Sequence, residues 1–76
     1  MNKKRFIAQQ GSSSTVKVFT AETGQLYRVI DVGGTITSPP VCTENELTVG
    51  VRVSNDTLLL KIYSIPTFSL KKTVNV

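Results

Sequence analysis

Cys42 carries the only thiol in the chain, and it lacks the partner that would activate it. A catalytic thiol needs a neighbouring base, most often an imidazole, and the sequence contains no histidine. Carboxylates offer another route to proton transfer, but here they fall mostly at predicted turns or strand ends, where they are expected to be solvated. The acidic residues are Glu22, Asp31, Glu44, Glu46 and Asp56. These residue types predict a protein without enzymatic activity and without a catalytic site.

Metal and cofactor sites are also not expected. One cysteine and no histidine cannot supply the Cys and His ligands that transition metals require. Gly33-Gly34 is not followed by a predicted helix, so it does not form a phosphate-binding loop. The residue types therefore predict no metal and no cofactor.

Basic and aromatic residues are the remaining candidates for function. The net charge of +4 is of the size that keeps small domains soluble, although it could also attract an acidic partner. Lys17 lies two residues before Phe19, so both share a strand face, and Lys61 and Tyr63 repeat this spacing. Such a face is typical of modules that bind single-stranded nucleic acid, but packing against a neighbouring sheet explains it equally and is favoured. Seven cationic or aromatic residues are the interface candidates: Lys3, Arg5, Phe19, Arg28, Tyr63, Phe68 and Lys72.

Strand-like alternation of apolar and polar residues runs through the whole chain, and no segment has a helical period. Glu46 begins the clearest strand, in which every second residue from Leu47 to Val53 is apolar. Pro39-Pro40 interrupts another strand, because proline cannot donate a ladder hydrogen bond. The pattern predicts an all-β antiparallel meander of about seven strands without a helix, at residues 5–9, 15–21, 25–32, 36–43, 46–53, 57–64 and 69–76.

The chain also resembles itself after a shift of 44 residues, which places residues 5–32 on residues 49–76 without a gap. Two turns and three predicted strands keep their spacing under this shift. Arg28 falls on Lys72, and each lies in phase with apolar neighbours, a placement that favours protection of a sheet edge over contact with a phosphate or carboxylate. Four positions are identical in the two segments: Lys17 and Lys61, Thr23 and Thr67, Leu26 and Leu70, Val32 and Val76.

This repeat length, with about four strands per unit, is typical of β-propeller blades. The strand, turn and strand from Val16 to Leu26 are similar to those of quinoprotein-like and WD-type blades. The length predicts a single domain over residues 1–76. Within it, residues 5–32 would form an incomplete blade-like repeat, and residues 35–76 a complete four-stranded one.

Length and blade-like architecture together favour association. A chain of 76 residues buries only about 60% of its unfolded surface, and one cysteine cannot form an internal disulfide. Repeat units also need neighbours to cover their apolar faces. We expect a homo-oligomer, such as three two-bladed chains closing a six-bladed ring. A monomeric seven-stranded sandwich or small barrel remains the alternative.

A small, basic β-protein whose residues 3–11 run directly into strands also resembles the minor virion proteins of tailed bacteriophages. This resemblance implies a structural tail, head–tail or decoration component that assembles with other virion proteins in the host cytoplasm. The alternative is a cytoplasmic module that binds a carbohydrate or single-stranded nucleic acid, although the absence of tryptophan counts against sugar binding. No apolar run approaches the roughly 18 residues of a membrane span, and no membrane association is expected.

Overall fold

In the computed structural model, which describes residues 5–76, alternating apolar residues form eight β-strands and no helix. Every pair of adjacent strands is antiparallel. The predicted all-β antiparallel fold is therefore confirmed, and most strand ends lie within one residue of the predicted ends. The strands are β1 (Phe6–Gln10), β2 (Thr15–Thr20), β3 (Leu26–Asp31), β4 (Thr35–Ile36), β5 (Val41–Cys42), β6 (Glu46–Ser54), β7 (Thr57–Ser64) and β8 (Leu70–Asn75).

The strands form two sheets rather than one continuous meander. A small sheet has the order β1-β2-β3, and a large sheet has the order β4-β6-β7-β8, with β5 also paired to β6. Both sheets are open, and β3 and β8 are edge strands. Residues 5–76 therefore do not form a closed propeller ring.

The large sheet contains one strand more than predicted, because Pro39-Pro40 divides the predicted strand at residues 36–43. Its two halves, β4 and β5, lie one after the other along β6. Between them, the Ser38 hydroxyl accepts a 3.2 Å hydrogen bond from the Gly50 amide, and the Thr37 amide donates to the Gly50 carbonyl at 2.9 Å. The loop thus satisfies the β6 groups that an interrupted strand would leave unpaired.

A single hydrophobic core lies between the two sheets. Each sheet contributes one face to it, which we call its inner face. Leu47, Val51, Val16 and Val18 have no exposed surface at all. The core residues are Phe6, Val16, Val18, Ile30, Val32, Ile36, Leu47, Val49, Val51, Tyr63 and Phe68.

The second hairpin of each sheet has the same irregularity at the same place. The β2–β3 ladder shifts register between Val18 and Phe19, and the β7–β8 ladder shifts between Ile62 and Tyr63. These two bulges lie 44 residues apart in the chain. The 44-residue spacing of the predicted repeat therefore equals the spacing between the two bulges.

The turns of these two hairpins also match. Gly24 has φ of 75° and Phe68, 44 residues later, has φ of 56°. A left-handed conformation is easy for glycine but costs a bulky residue on the order of 1 kcal/mol or more. Phe68 adopts it with its ring buried in the core. Packing of the ring therefore outweighs the backbone cost.

The first hairpins do not follow the gapless alignment. Phe6 pairs with Thr20 in the small sheet, whereas Glu46 pairs with Ser64 in the large one. Since Thr20 and Ser64 are 44 residues apart while Phe6 and Glu46 are only 40 apart, β1 matches β6 at a shift of 40. The gapless alignment is wrong for this strand because the large-sheet hairpin encloses four more residues: Gly50 pairs with Leu60, whereas the equivalent pair in the small sheet is Gln10 and Val16.

Candidate interaction surfaces

Two of the interface candidates lie inside the protein. Tyr63 and Phe68 are each only 6% exposed and belong to the core between the sheets. The Phe68 ring meets the Phe6 ring edge-on, with centroids 5.2 Å apart, and Tyr27 packs beside both. Burial removes Tyr63 and Phe68 from the surfaces open to a partner, because the faces that carry them turn towards the other sheet.

Arg28 serves as a link between the two sheets. It lies on the inner face of the small sheet at its edge strand, and its guanidinium donates a 3.0 Å hydrogen bond to the Thr67 carbonyl of the large sheet. The guanidinium carbon is also 5.7 Å from the centroid of the Tyr27 ring, within cation–π range. Arg28 therefore lies on an edge strand, as expected, and also forms a hydrogen bond across the contact between the two sheets.

Lys61 makes a second link of the same kind. Its ammonium donates a 2.6 Å hydrogen bond to the Val32 carbonyl, at the end of the small sheet. Lys61 and Tyr63 therefore face the core, while Lys17 and Phe19 lie on the opposite, outer face of the small sheet. The four residues do not form the single open face that a nucleic-acid module would use.

The remaining candidates are more exposed. Arg5 borders a surface depression of about 210 Å³ that Phe6 and Cys42 also line. Lys72 is exposed on the outer face of the large sheet, and Phe19 is half-buried on the outer face of the small sheet. Lys3 lies outside the described residues.

The outer face of the small sheet carries an open row of apolar side chains. Ile7, Phe19 and Leu26 lie side by side across its three strands, because each is paired with the next in the ladder. Val29 and Lys17 occupy the adjacent row. Ile7 and Leu26 are each 54% exposed. We call these five residues the small-sheet outer face.

The large sheet has a similar open face on its far side. Leu60 pairs with Val74, and Ile62 pairs with Lys72, while Leu58 continues the row on β7. Leu58 and Leu60 are each 37% exposed. These residues, Leu58, Leu60, Ile62, Lys72 and Val74, form the large-sheet outer face.

The sequence contained a signal for these faces that the choice of candidates overlooked. Leu58-Leu59-Leu60 is an unbroken apolar run within β7, and such runs are typical of strands covered on both faces. Ile7 and Val29 likewise fall out of phase with the core residues on their strands. Leu26 is in phase with the core residue Ile30 in the sequence and reaches the outer face only through the register shift in the β2–β3 ladder. The interface candidates are all cations and aromatics, whereas several of the large exposed side chains on the two outer faces are aliphatic.

Among residues 5–76, no three His, Cys, Asp or Glu side chains form a group that could hold a metal ion. Desolvation raises the pKa of the Cys42 thiol above 9.0, so at neutral pH the thiol is protonated and a poor nucleophile. The described part of the chain also contains no helix long and apolar enough to cross a membrane.

Because of Tyr63, we expect the free energy of unfolding to fall at alkaline pH. Burial, and secondly the negative charge of Asp31, raise the pKa of its phenol above 10.0. The unfolded chain therefore loses this proton at lower pH than the folded chain, and the stability contributed by the neutral phenol is present below pH 10 and declines as the pH rises above it. We expect urea unfolding between pH 8 and 11 to show a steeper loss of stability for the wild type than for Tyr63→Phe.

Tyr27→Phe provides the control for this measurement, because the Tyr27 side chain is 40% exposed. Its loss of stability with pH should parallel that of the wild type, since Tyr63 is present in both proteins. An identical slope for Tyr63→Phe and the wild type would contradict the prediction.

Comparison with known proteins adds no relative to this description. The chain matches no protein-family model, and no curated protein and no solved structure is similar to it at a significant level.

Proposed function

We propose that this chain is a non-enzymatic assembly module that associates with copies of itself as part of a larger structure. The observation that supports this most is the pair of apolar outer faces, one on each side of the two-sheet unit. Large aliphatic side chains grouped on an exposed face are typical of surfaces that a partner covers. Association would remove Ile7, Leu26, Leu58 and Leu60 from water.

The dimensions of the chain support the same proposal. The protein measures 43 × 22 × 15 Å, so it is a flat unit only two sheets thick. Nearly every strand therefore has a side that the core does not cover. Burying one more aliphatic side chain is worth about 1.5 to 3 kcal/mol, and a domain of this size has only about 4 to 11 kcal/mol of stability in total. Covering either outer face would therefore add substantially to the free energy of unfolding.

The test is the solution mass of the full chain by light scattering over a wide dilution series. We expect a mass that is a multiple of 8.3 kDa and that persists at high salt, since apolar contacts are not screened by ions. A single-chain mass at all concentrations would contradict the proposal. The same monomer could then be tested with a labelled single-stranded oligonucleotide. Binding whose affinity falls steeply as salt rises would favour the nucleic-acid alternative over self-association.

A virion of a tailed bacteriophage is the particle we propose for this module. Support comes from the resemblance of the sequence to minor virion proteins, which are small, basic and rich in strands. Detection of the chain by mass spectrometry in purified virions tests this part of the proposal, and its absence from them would contradict it.

A further inference from the structure

The two sheets contact each other through unlike faces of the repeated unit. Val16 and Val18 line the inner face of the small sheet, and their counterparts 44 residues later, Leu60 and Ile62, line the outer face of the large sheet. The same kind of face is therefore covered in one sheet and open in the other. We call it the valine-type face, after Val16 and Val18.

The opposite faces show the reverse arrangement. Lys61 and Tyr63 lie on the inner face of the large sheet, and their counterparts Lys17 and Phe19 lie on the small-sheet outer face. We call this the lysine-type face. Within the chain, a valine-type face packs on a lysine-type face, and one face of each type remains open on the outside.

We infer that the open faces are covered by further copies of this chain, arranged head to tail. The large-sheet outer face of one copy packs on the small-sheet outer face of the next, and so repeats between copies the contact that the two sheets make within a copy. This inference rests on the proposed self-association and specifies which surfaces meet.

The first polar link between the sheets has a counterpart at this contact. Lys61 donates to the Val32 carbonyl within the chain. Their repeat counterparts are Lys17 and Val76, which are identical in type and lie on the two open faces or at their margin. Lys17 of the next copy would therefore donate to the main-chain oxygen of Val76.

The second polar link has a counterpart as well. Arg28 donates to the Thr67 carbonyl, and the corresponding residues are Lys72 and Thr23. Lys72 lies on the large-sheet outer face, so it would reach the Thr23 carbonyl of the next copy. The residues at both donor positions are thus cations in the second setting too, although neither Lys17 nor Lys72 makes a side-chain hydrogen bond or ion pair within residues 5–76.

The apolar residues fit the same arrangement. By its pairing, Ile7 occupies in the small sheet the position that Leu47 occupies in the large one. Ile7 is 54% exposed, whereas Leu47 is fully buried under the small sheet. Leu60 is 37% exposed at the position of Val16, which is also fully buried. At these two positions, the open faces therefore have exposed aliphatic residues, and the equivalent residues of the covered faces belong to the hydrophobic core.

A head-to-tail contact makes a distinctive prediction, because its two sides are different surfaces. Ile7→Glu places a carboxylate on the small-sheet outer face, and Leu60→Glu places one on the large-sheet outer face. Each substitution should weaken association by more than about 100-fold, since an unpaired charge would be buried in an apolar contact. Each variant nevertheless keeps one intact face of the opposite type.

The experiment measures the masses of the full-length variants by light scattering, at concentrations where the wild type is associated. We expect Ile7→Glu alone and Leu60→Glu alone to have the mass of one chain, and an equimolar mixture to form a complex of two chains. Circular dichroism checks that each variant folds. Leu26→Glu and Leu58→Glu test the same two faces at other exposed positions should either first variant fail to fold.

Other results would overturn the inference in distinguishable ways. If one variant alone remained associated, the contact would join two like faces. If both variants kept the wild-type mass, assembly would use another surface, and the proposed function would stand while the head-to-tail contact would not. A monomeric wild type would contradict both.

Discussion

Leu47→Ala is expected to lower the free energy of unfolding by about 3 to 4 kcal/mol. Leu47 is fully buried on the inner face of the large sheet, paired with Cys42 on one side and Tyr63 on the other. Truncating it loses the transfer free energy of the removed carbons and leaves a cavity that surrounding strands cannot fill. A domain of this length has only about 4 to 11 kcal/mol of stability, so much of the population would unfold near physiological temperature.

Leu70→Ala is the matched control for this prediction. Leu70 is 52% exposed and pairs with Tyr63 on the same face of the same sheet, outside both proposed contacts. Its truncation should cost about 1 kcal/mol or less, because most of its surface is already in water. Urea unfolding at one fixed protein concentration measures both changes, since association would otherwise add to apparent stability. Equal losses for the two variants would show that the core does not lie between the sheets.

Gly34→Ala is expected to destabilise the protein by about 3 kcal/mol, at the upper end of what overpacking costs. A Cβ at position 34 would lie 2.5 Å from the Arg52 carbonyl oxygen and 2.7 Å from a methyl carbon of Val51. The Arg52 oxygen is main chain within β6, so it cannot rotate away. Relief would require β4 to separate from β6, which would expose Ile36 from the core.

Gly24→Ala separates crowding from backbone strain. Gly24 has φ of 75° but open space around its Cβ position, so alanine there meets only the left-handed backbone cost of about 1 to 2 kcal/mol. Gly34→Ala should therefore be the more damaging substitution in urea unfolding. Hydrogen exchange should also show faster exchange of the Ile36 amide, which donates to the Ser13 carbonyl at 2.7 Å, in the Gly34 variant alone. A larger loss for Gly24→Ala would contradict this account.

Local features of the sequence were enough to locate the strands. Alternation from Leu47 to Val53 predicted β6 within one residue of its end, and Pro39-Pro40 predicted the interruption that separates β4 from β5. These predictions succeeded because side-chain alternation and the missing proline amide act within a single strand. The position of β1 within the repeat was not predicted correctly, since a shift of four residues preserves strand alternation and leaves no trace in the pattern.

The sequence could not decide which of the interface candidates are open to a partner. Phe19 and Tyr63 occupy equivalent positions in two similar hairpins, yet Phe19 lies on an outer face and Tyr63 lies in the core. The alternation of apolar and polar residues within either hairpin does not distinguish them. Only the order in which the two sheets pack decides which copy of the face is covered.

By itself, then, the amino-acid sequence determined that the chain is all-β, where its strands lie, and that two of its hairpins are alike. Alternation, turn residues and proline positions decide those features over distances of a few residues. Tertiary structure alone decided that the strands divide into two sheets, that Arg28 and Lys61 bond across them, and that one face of each type stays open. Those features depend on contacts between residues about 30 to 40 positions apart, and strands that are apolar on both faces are compatible with more than one such packing.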